Sequence, residues 1–210
     1  MSGELRIDRV VTSGVFALDG GTWEVDNNVW VVGDDDEVVV IDAAHDAKPV
    51  MEAIGGRDVV AVVCTHGHND HVTFAPQLGE DAHTPVLLHP GDDPLWQLTH
   101  PGSKYWFLHD RQRIALAGTE LHVIHAPGHS PGSVCLHLPE ADALFSGDTL
   151  FAGGPGATGR SFSDFPTIIA SIRHRLLSLP GHTNVYTGHG DATMIDSEAP
   201  HLEEWIARGF

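Results

Sequence analysis

Apolar residues along this chain fall in short runs separated by glycine, proline and acidic residues, a pattern typical of alternating strands and short helices. Two valine-rich runs, residues 29–32 and 38–41, flank the turn-forming segment 33–37 and predict a β-hairpin. Residues 59–64 are continuously apolar, which predicts a strand buried on both faces. Further strands are predicted for residues 85–89, 113–117, 120–125, 133–138, 143–146 and 184–187.

Apolar residues at helical spacing predict three helices. The first covers residues 48–54 and ends at two glycines, and the second covers residues 167–179 behind a proline. A terminal helix is predicted for residues 198–207. Strands and helices occur twice in a similar order, so we expect an α/β fold in which two similar layers pack sheet to sheet with helices outside.

One segment, residues 90–112, shows neither the strand period nor the helix period. It carries several aromatic residues, among them Trp96, Trp106 and Phe107. We interpret it as an inserted surface segment or a lid whose aromatic side chains cover a binding site.

Length and composition predict a single domain over residues 1–210, since 210 residues with 41% hydrophobic side chains can bury a core. The net charge of −18 disfavours nucleic acid and membrane surfaces as partners. Cys64 and Cys135 do not make a disulfide framework, and no apolar run approaches the roughly 18 residues of a membrane span. Because the first residues lack a secretory signal, we expect a cytoplasmic protein.

Histidine is unusually abundant: 16 histidines outnumber the 11 lysines and arginines together. Directly after the buried strand comes the segment Thr-His-Gly-His-Asn-Asp-His, residues 65–71. In an extended segment, alternate residues share a face, so His66, His68 and Asp70 can converge. If a helix begins near Asp70, His71 turns to a different side. Such a cluster at the exit of a rigid strand predicts a preorganised metal site.

Three later segments repeat this arrangement of a polar side chain in a glycine-rich loop after a strand. They place His129, Asp148 and His189 in the contexts Pro-Gly-His-Ser-Pro-Gly, Ser-Gly-Asp-Thr and Thr-Gly-His-Gly. Each is weak alone, but together with residues 65–71 they complete a set of five histidines and two aspartates.

The ordered motif His-x-His-x-Asp-His, followed by single His, Asp and His residues, resembles the signature of the metallo-β-lactamase superfamily over nearly the whole chain. The resemblance implies a four-layer αββα sandwich with the site at one edge between the sheets. It assigns one metal to His66, His68 and His129 and a second to Asp70, His71 and His189. Asp148 bridges the two metals, and Asp70 and Asp148 are the expected catalytic carboxylates.

Two divalent metal ions are the cofactors that this ligand set implies, and they would activate water for hydrolysis. Imidazole and carboxylate ligands favour Zn²⁺ but also suit Fe or Mn. Around this set, Asp42 matches an acid that hydrogen-bonds a metal-site histidine. Asn28 matches a recurrent structural asparagine of the family, and His45 follows closely enough to face the pocket.

Residues 146–161 resemble the glyoxalase II neighbourhood, although the glycine-rich turn carries extra residues at 155–158. The chain ends about twenty residues beyond His189, so it is more similar to short, single-domain glyoxalase-II-like hydrolases. The resemblance implies a small-molecule substrate, an acyl thioester of a low-molecular-weight thiol. Arg160 is a candidate for binding a substrate carboxylate, and Trp106 for covering the acyl or thiol part. The oligomeric state stays open, with a homodimer among the alternatives.

Other functions share much of this signature. A persulfide dioxygenase would hold a single iron on the same fold, and a lactonase would use the same hydrolytic machinery. A non-catalytic metal-binding relative would be expected to lack a ligand, and no ligand is missing here. The acidic charge disfavours nucleases of the same fold.

Overall fold

The computed structural model describes residues 3–209, which form two six-stranded sheets and a small two-stranded one. The strands are Arg6–Leu18 (β1), Gly21–Gly33 (β2), Glu37–Ile41 (β3), Asp58–Val63 (β4), Val86–Leu88 (β5), Trp106–Phe107 (β6), Arg113–Leu116 (β7), Thr119–His125 (β8), Val134–Leu138 (β9), Ala143–Gly147 (β10), Leu150–Phe151 (β11), Gly154–Pro155 (β12), Asn184–Thr187 (β13) and Thr193–Met194 (β14). The first sheet runs β1-β2-β3-β4-β5-β6, and the second runs β14-β13-β10-β9-β8-β7.

The helices are short and lie between the strands. They are Ala47–Ile54 (α1), Asn69–Val72 (α2), Ala75–Asp81 (α3), Asp93–Thr99 (α4), Phe165–Ser171 (α5), Ile195–Glu198 (α6) and Leu202–Arg208 (α7). A π-helical turn, Ile172–Leu176, continues α5, and single 3-10 turns occupy Pro90–Asp92, Pro139–Ala141 and Ala199–His201. No helix in residues 3–209 combines the length and the apolar composition needed to cross a membrane.

Successive side chains of the central strands point to opposite faces of the sheet, and each face packs against a different layer. In β2, Val29 and Val31 pack with the helices on the outer face of the first sheet, whereas Trp30 and Val32 pack against the second sheet. The second sheet buries its other face under α5, its π-helical turn and Trp205 of α7. The order is helix, sheet, sheet, helix, which confirms the predicted four-layer αββα sandwich.

The first 33 residues differ most from the sequence-based expectation. β1 and β2 pair antiparallel over their full length, from Arg6 opposite Gly33 to Leu18 opposite Gly21. β1 escaped notice because it is an edge strand whose residues alternate between exposed and partly buried, without a continuous apolar run. Its distal half, around Phe16, extends this hairpin toward the carboxyl ends of the central strands.

The segment 90–112 is ordered, and its aromatic residues serve different purposes. Trp96 in α4 has no exposed surface, packs in the core beneath the first sheet and donates an indole hydrogen bond to the Ser103 carbonyl at 3.0 Å. The lid expectation is therefore wrong for Trp96, because α4 turns this side chain inward. Trp106 and Phe107 form β6 at the sheet edge and are 70% and 60% exposed.

This division gives a direct stability comparison. Replacing Trp96 with Ala should lower the free energy of unfolding by about 3–5 kcal/mol, because it leaves a large cavity in the core. Trp106→Ala should change it by no more than about 0.5 kcal/mol, because the side chain is mostly in water. Urea denaturation of both variants measures the difference, and equal losses would contradict this packing.

Candidate metal centre

The histidine-rich segment lies where the buried strand β4 meets a helix. β4 ends at Val63, the chain bends at Thr65 and His66, and α2 begins at Asn69 after an extended His68. This change of backbone conformation turns Asp70 and His71 toward the side that His66 already faces. All four predicted ligands of the segment are buried, namely His66, His68, Asp70 and His71.

The other three predicted ligands come from the second sheet. His129 follows β8, Asp148 follows β10 and His189 follows β13. β10 and β13 are parallel neighbours, and β8 runs in the same direction, so their carboxyl ends meet at one edge of the sheet. The structure thus brings all seven predicted side chains together between the two sheets.

The seven side chains form two groups joined by one carboxylate. His66, His68 and His129 place their ligand atoms within 4.8 Å of one another, and so do Asp70, His71 and His189. Asp148 lies between the groups: its Oδ1 is 3.4 Å from His71 Nε2, and its Oδ2 is 3.6 Å from His129 Nε2 and 3.4 Å from His189 Nε2. This is the position required of a bridging ligand.

The donor atoms fit divalent cations. His66 Nε2, Asp70 Oδ1 and Asp148 Oδ1 are buried and have no hydrogen-bond partner in the described residues. Burying such polar atoms without partners is costly, and a cation would satisfy their lone pairs. Neutral imidazoles with carboxylates suit Zn²⁺, Fe and Mn alike, so the donors fit divalent cations without selecting the metal.

Four ligand histidines are fixed by hydrogen bonds on the ring nitrogen that faces away from the site. The Nδ1 atoms of His71, His129 and His189 lie 2.9 Å from Asp42 Oδ2, 2.9 Å from the Ala157 carbonyl and 2.7 Å from the Asp26 carbonyl. His66 Nδ1 lies 3.1 Å from Thr65 Oγ1. Each Nδ1 is therefore the donor, and each Nε2 faces the centre as the atom that can bind a cation.

Asp42 occupies the position expected of it, at the carboxyl end of β3. Its carboxylate accepts hydrogen bonds from His71 Nδ1 and, at 2.7 Å each, from the backbone N–H and the hydroxyl of Thr65. Asp42 adopts a positive φ of 55°, so the backbone is turned to direct this carboxylate toward the ligand segment. Asp42 thereby couples the segment of residues 65–71 to its own first sheet.

Two asparagines at the start of the apolar half of β2 have separate environments. Asn28 donates to the carbonyls of Thr187 and Gly190 at 3.0 and 2.9 Å, which ties the loop carrying His189 to the first sheet. Asn27, which the sequence analysis did not single out, lies among the second group of ligands, 3.1 Å from Asp70 Oδ2. His45 does not line the cavity and instead contacts Asn27 Oδ1 at 2.8 Å.

A cavity of about 120 Å³ opens onto the ligands. Its walls are Phe16, Leu18 and Val25 from the first hairpin, Ala157, Arg160, Ser161 and Ser163 from the loop after β12, and the ligands His68, Asp70, His129, Asp148 and His189. The guanidinium of Arg160 lies 3.9 Å from the Trp23 ring centroid. Trp106 is not brought to this cavity, because β6 places it in a separate depression beside His83 and Pro85.

Asp92 clamps two ligand loops together, and sequence reasoning missed it. Its buried carboxylate accepts hydrogen bonds from Gly67 N at 2.8 Å, Ser130 Oγ at 2.6 Å and Gly132 N at 2.5 Å. A Cβ atom on Gly67 or Gly132 would come within 3.0 or 2.7 Å of the Asp92 side chain. The two glycines therefore permit the close approach, and they were the available sequence signal.

Without a bound cation, the two groups differ in charge. Burial, reinforced by neighbouring histidines, lowers the pKa of His66 well below its usual value and the pKa of His68 to about 3. Burial also opposes protonation of His189, but the Asp148 and Asp70 carboxylates outweigh it and raise its pKa to about 10. The pKa of His71 is raised for the same reason: burial would lower it, and Asp148, Asp70 and Asp42 outweigh burial.

Comparison with known proteins agrees with this geometry. The sequence profile of the metallo-beta-lactamase superfamily matches residues 22–195. The chain is 30% identical to hydroxyacylglutathione hydrolase GloC of Haemophilus influenzae, over 81% of this chain and 89% of that protein. The crystal structure of the BLEG-1 B3 metallo-beta-lactamase superposes with a TM-score of 0.75 at 28% identity, covering 91% of this chain and 98% of the other. The crystal structure of TTHA1623 in a di-iron-bound form superposes with a TM-score of 0.75 at 33% identity, covering 83% of this chain and 93% of the other.

The clamp made by Asp92 can be tested without measuring activity. Asp92→Asn should lower the free energy of unfolding by about 1–3 kcal/mol, because an amide N–H then faces N–H or O–H donors. It should also weaken metal binding about 10- to 100-fold, because the two ligand loops lose their common anchor. Urea denaturation and metal titration measure both effects. Asp93→Asn, an exposed neighbour, is the matched control, and equal behaviour of the two variants would exclude the clamp.

The charge difference between the two groups predicts proton release on metal binding. In the metal-free chain, the raised pKa values of His71 and His189, the latter to about 10, favour their protonated forms, whereas the lowered pKa values of His66 and His68 favour neutral rings. Filling the second group should therefore release protons, and falling pH should weaken metal binding to that group first. Calorimetric titration in buffers of different ionisation enthalpy counts these protons. Binding without net proton release would contradict the assigned charges.

Proposed function

This chain belongs to the metallo-beta-lactamase superfamily, and from that premise we propose that it hydrolyses an acyl thioester of a low-molecular-weight thiol. The superfamily membership supports a metal-dependent hydrolase, and the relative named hydroxyacylglutathione hydrolase GloC supports a thioester as the substrate. The observation that carries the proposal is a small cavity whose floor is the ligand set and whose walls are mostly apolar. Such a cavity suits a small molecule with an apolar acyl or thiol portion.

Two divalent cations, when bound, would lower the pKa of water and polarise the substrate carbonyl. His66, His68 and His129 would hold one, Asp70, His71 and His189 the other, with Asp148 shared. We take zinc as the metal to test first, since its preference for imidazole with carboxylate matches these donors.

The other residues of the cavity would position the substrate. Phe16, Leu18 and Val25 form an apolar wall next to the ligands and exclude water from that side. Arg160 lies at the same cavity, held over the Phe16 and Trp23 rings at 5.2 and 3.9 Å, and its guanidinium can pair with a carboxylate of the thiol portion. Among the described residues, Arg160 is the one lysine or arginine that lines this cavity, which supports an anionic thiol, and the chain's charge of −18 disfavours a nucleic-acid substrate.

The proposed reaction is tested with the zinc-loaded protein and a panel of acyl thioesters of glutathione and other small thiols. Thiol release should proceed at the same rate with and without air, because hydrolysis consumes water and no oxygen. A lactone and a thiol persulfide complete the panel. Oxygen uptake with the persulfide in the iron-loaded protein, without thioester cleavage, would replace the proposal with a dioxygenase, and cleavage of the lactone alone would replace it with a lactonase.

Asp148→Asn should reduce thioester hydrolysis at least about 10- to 100-fold, because the shared carboxylate loses its charge. Asp191→Asn is the matched control: it makes the same chemical change on the loop that carries His189, but its side chain is 94% exposed. Initial rates and metal content are measured together for both variants. Full activity in Asp148→Asn would show that this carboxylate is not part of the reaction centre.

A further inference from the structure

Asn27 places the end of its side chain among the second group of ligands. Its Nδ2 is 3.1 Å from Asp70 Oδ2, 3.3 Å from His71 Nε2 and 3.5 Å from His189 Nε2. Asp70, His71 and His189 are the residues that would bind the second cation, so the Asn27 amide lies at a distance from each side chain that is ordinary between neighbouring ligands of one metal. The side chain is completely buried.

The hydrogen-bonding pattern shows which atom belongs there when a cation is present. When a cation binds, the Nε2 atoms of His71 and His189 would present lone pairs to it, because their Nδ1 atoms donate to Asp42 and to the Asp26 carbonyl. In the metal-free chain, the amide nitrogen of Asn27 donates to Asp70 Oδ2. Toward a cation the same hydrogens would be repulsive, whereas a half-turn of the nearly symmetric amide brings Oδ1 to the same place.

We propose that Asn27 supplies its amide oxygen as an additional ligand to the cation held by Asp70, His71 and His189, with His45 as the residue that positions it. The inference depends on this second group of ligands and not on the identity of the substrate.

His45 is built to hold the amide from behind. Its Nε2 lies 2.8 Å from Asn27 Oδ1, and a neutral imidazole donates or accepts at this atom according to its tautomer. It therefore supports either orientation of the amide. His45 adopts a positive φ of 52°, and a Cβ atom on Gly14 would lie 2.1 Å from its ring. The neighbouring strand thus leaves space for the imidazole directly behind Asn27.

An amide oxygen is a hard, neutral ligand, and its removal should therefore affect the affinities of different metals to different extents. Hard oxygen ligands favour Mn²⁺ relative to Zn²⁺, which accepts imidazole and carboxylate well without them. Removing a ligand oxygen should therefore weaken Mn²⁺ binding more than Zn²⁺ binding. If Asn27 only donates a hydrogen bond to the Asp70 carboxylate, its removal should lower the affinities for Mn²⁺ and Zn²⁺ equally.

The test titrates the full-length protein with Mn²⁺ and with Zn²⁺ and follows metal binding alone. In Asn27→Ala, the affinity of Mn²⁺ for the second group of ligands should fall about 10- to 100-fold, and the affinity of Zn²⁺ for that group should fall less. Binding of either metal to His66, His68 and His129 should be unaffected. Asn27→Asp, which retains an oxygen at the same position, should preserve or tighten both. Equal losses for the two metals in Asn27→Ala, or unchanged binding, would overturn the proposal.

The role of His45 is tested by a double-mutant cycle. His45→Ala should weaken the second Mn²⁺ in the same selective manner, and adding Asn27→Ala should cause little further loss, because both changes remove one interaction. Fully additive losses would contradict positioning through Asn27. A crystal structure of the Mn²⁺-loaded wild-type protein decides the matter even if Asn27→Ala fails to fold: Oδ1 bonded to the second ion supports the proposal, and an amide outside bonding distance overturns it.

Discussion

The concentration of buried lone pairs and carboxylates between the two sheets is the constraint on which the rest of the structure depends. Five imidazoles and two carboxylates converge there, and several of their donor atoms lack any partner in the described residues. Such a set is costly in an apolar interior unless cations occupy it. The surrounding hydrogen bonds are arranged accordingly, since Asp42, Ala157 and Asp26 hold histidines with Nε2 directed inward.

The fold supplies the rigidity that this convergence needs. The ligand loops lie at the carboxyl ends of strands whose hydrophobic faces are fully buried, so the sheets fix where each loop begins. Asp92 and Asn28 then hold loops to one another across the interface between the sheets. The first hairpin contributes the apolar wall of the cavity, and the loop after β12 contributes the opposite wall. The same hairpin and loop also hold two ligand histidines, through the carbonyls of Asp26 and Ala157, so the cavity walls and the ligand geometry are linked.

The local sequence predicts those parts of the metal site whose geometry depends on the local backbone conformation. The segment of residues 65–71 follows a continuous apolar strand, so its convergence could be predicted from backbone periodicity, and the resemblance to a known family supplied His129, Asp148 and His189. Asn27 and Asp92 could not be found this way, because they act on ligands distant in sequence and their residue types have many ordinary uses. Trp96 was misassigned because an aromatic residue in a segment without clear periodicity gives no indication of which way it faces. The edge strand β1 was missed because charged and polar residues interrupt its apolar residues, which leaves no long continuous apolar run.

The central claim is that the seven side chains form one centre for two ions. Anomalous diffraction from crystals of the metal-loaded protein tests it most directly, because it locates each ion independently of the reaction catalysed. We expect two peaks per chain, one among His66, His68 and His129 and one among Asp70, His71 and His189, with Asp148 in contact with both. A single peak at full loading, or an Asp148 carboxylate that contacts only one ion, would contradict the account.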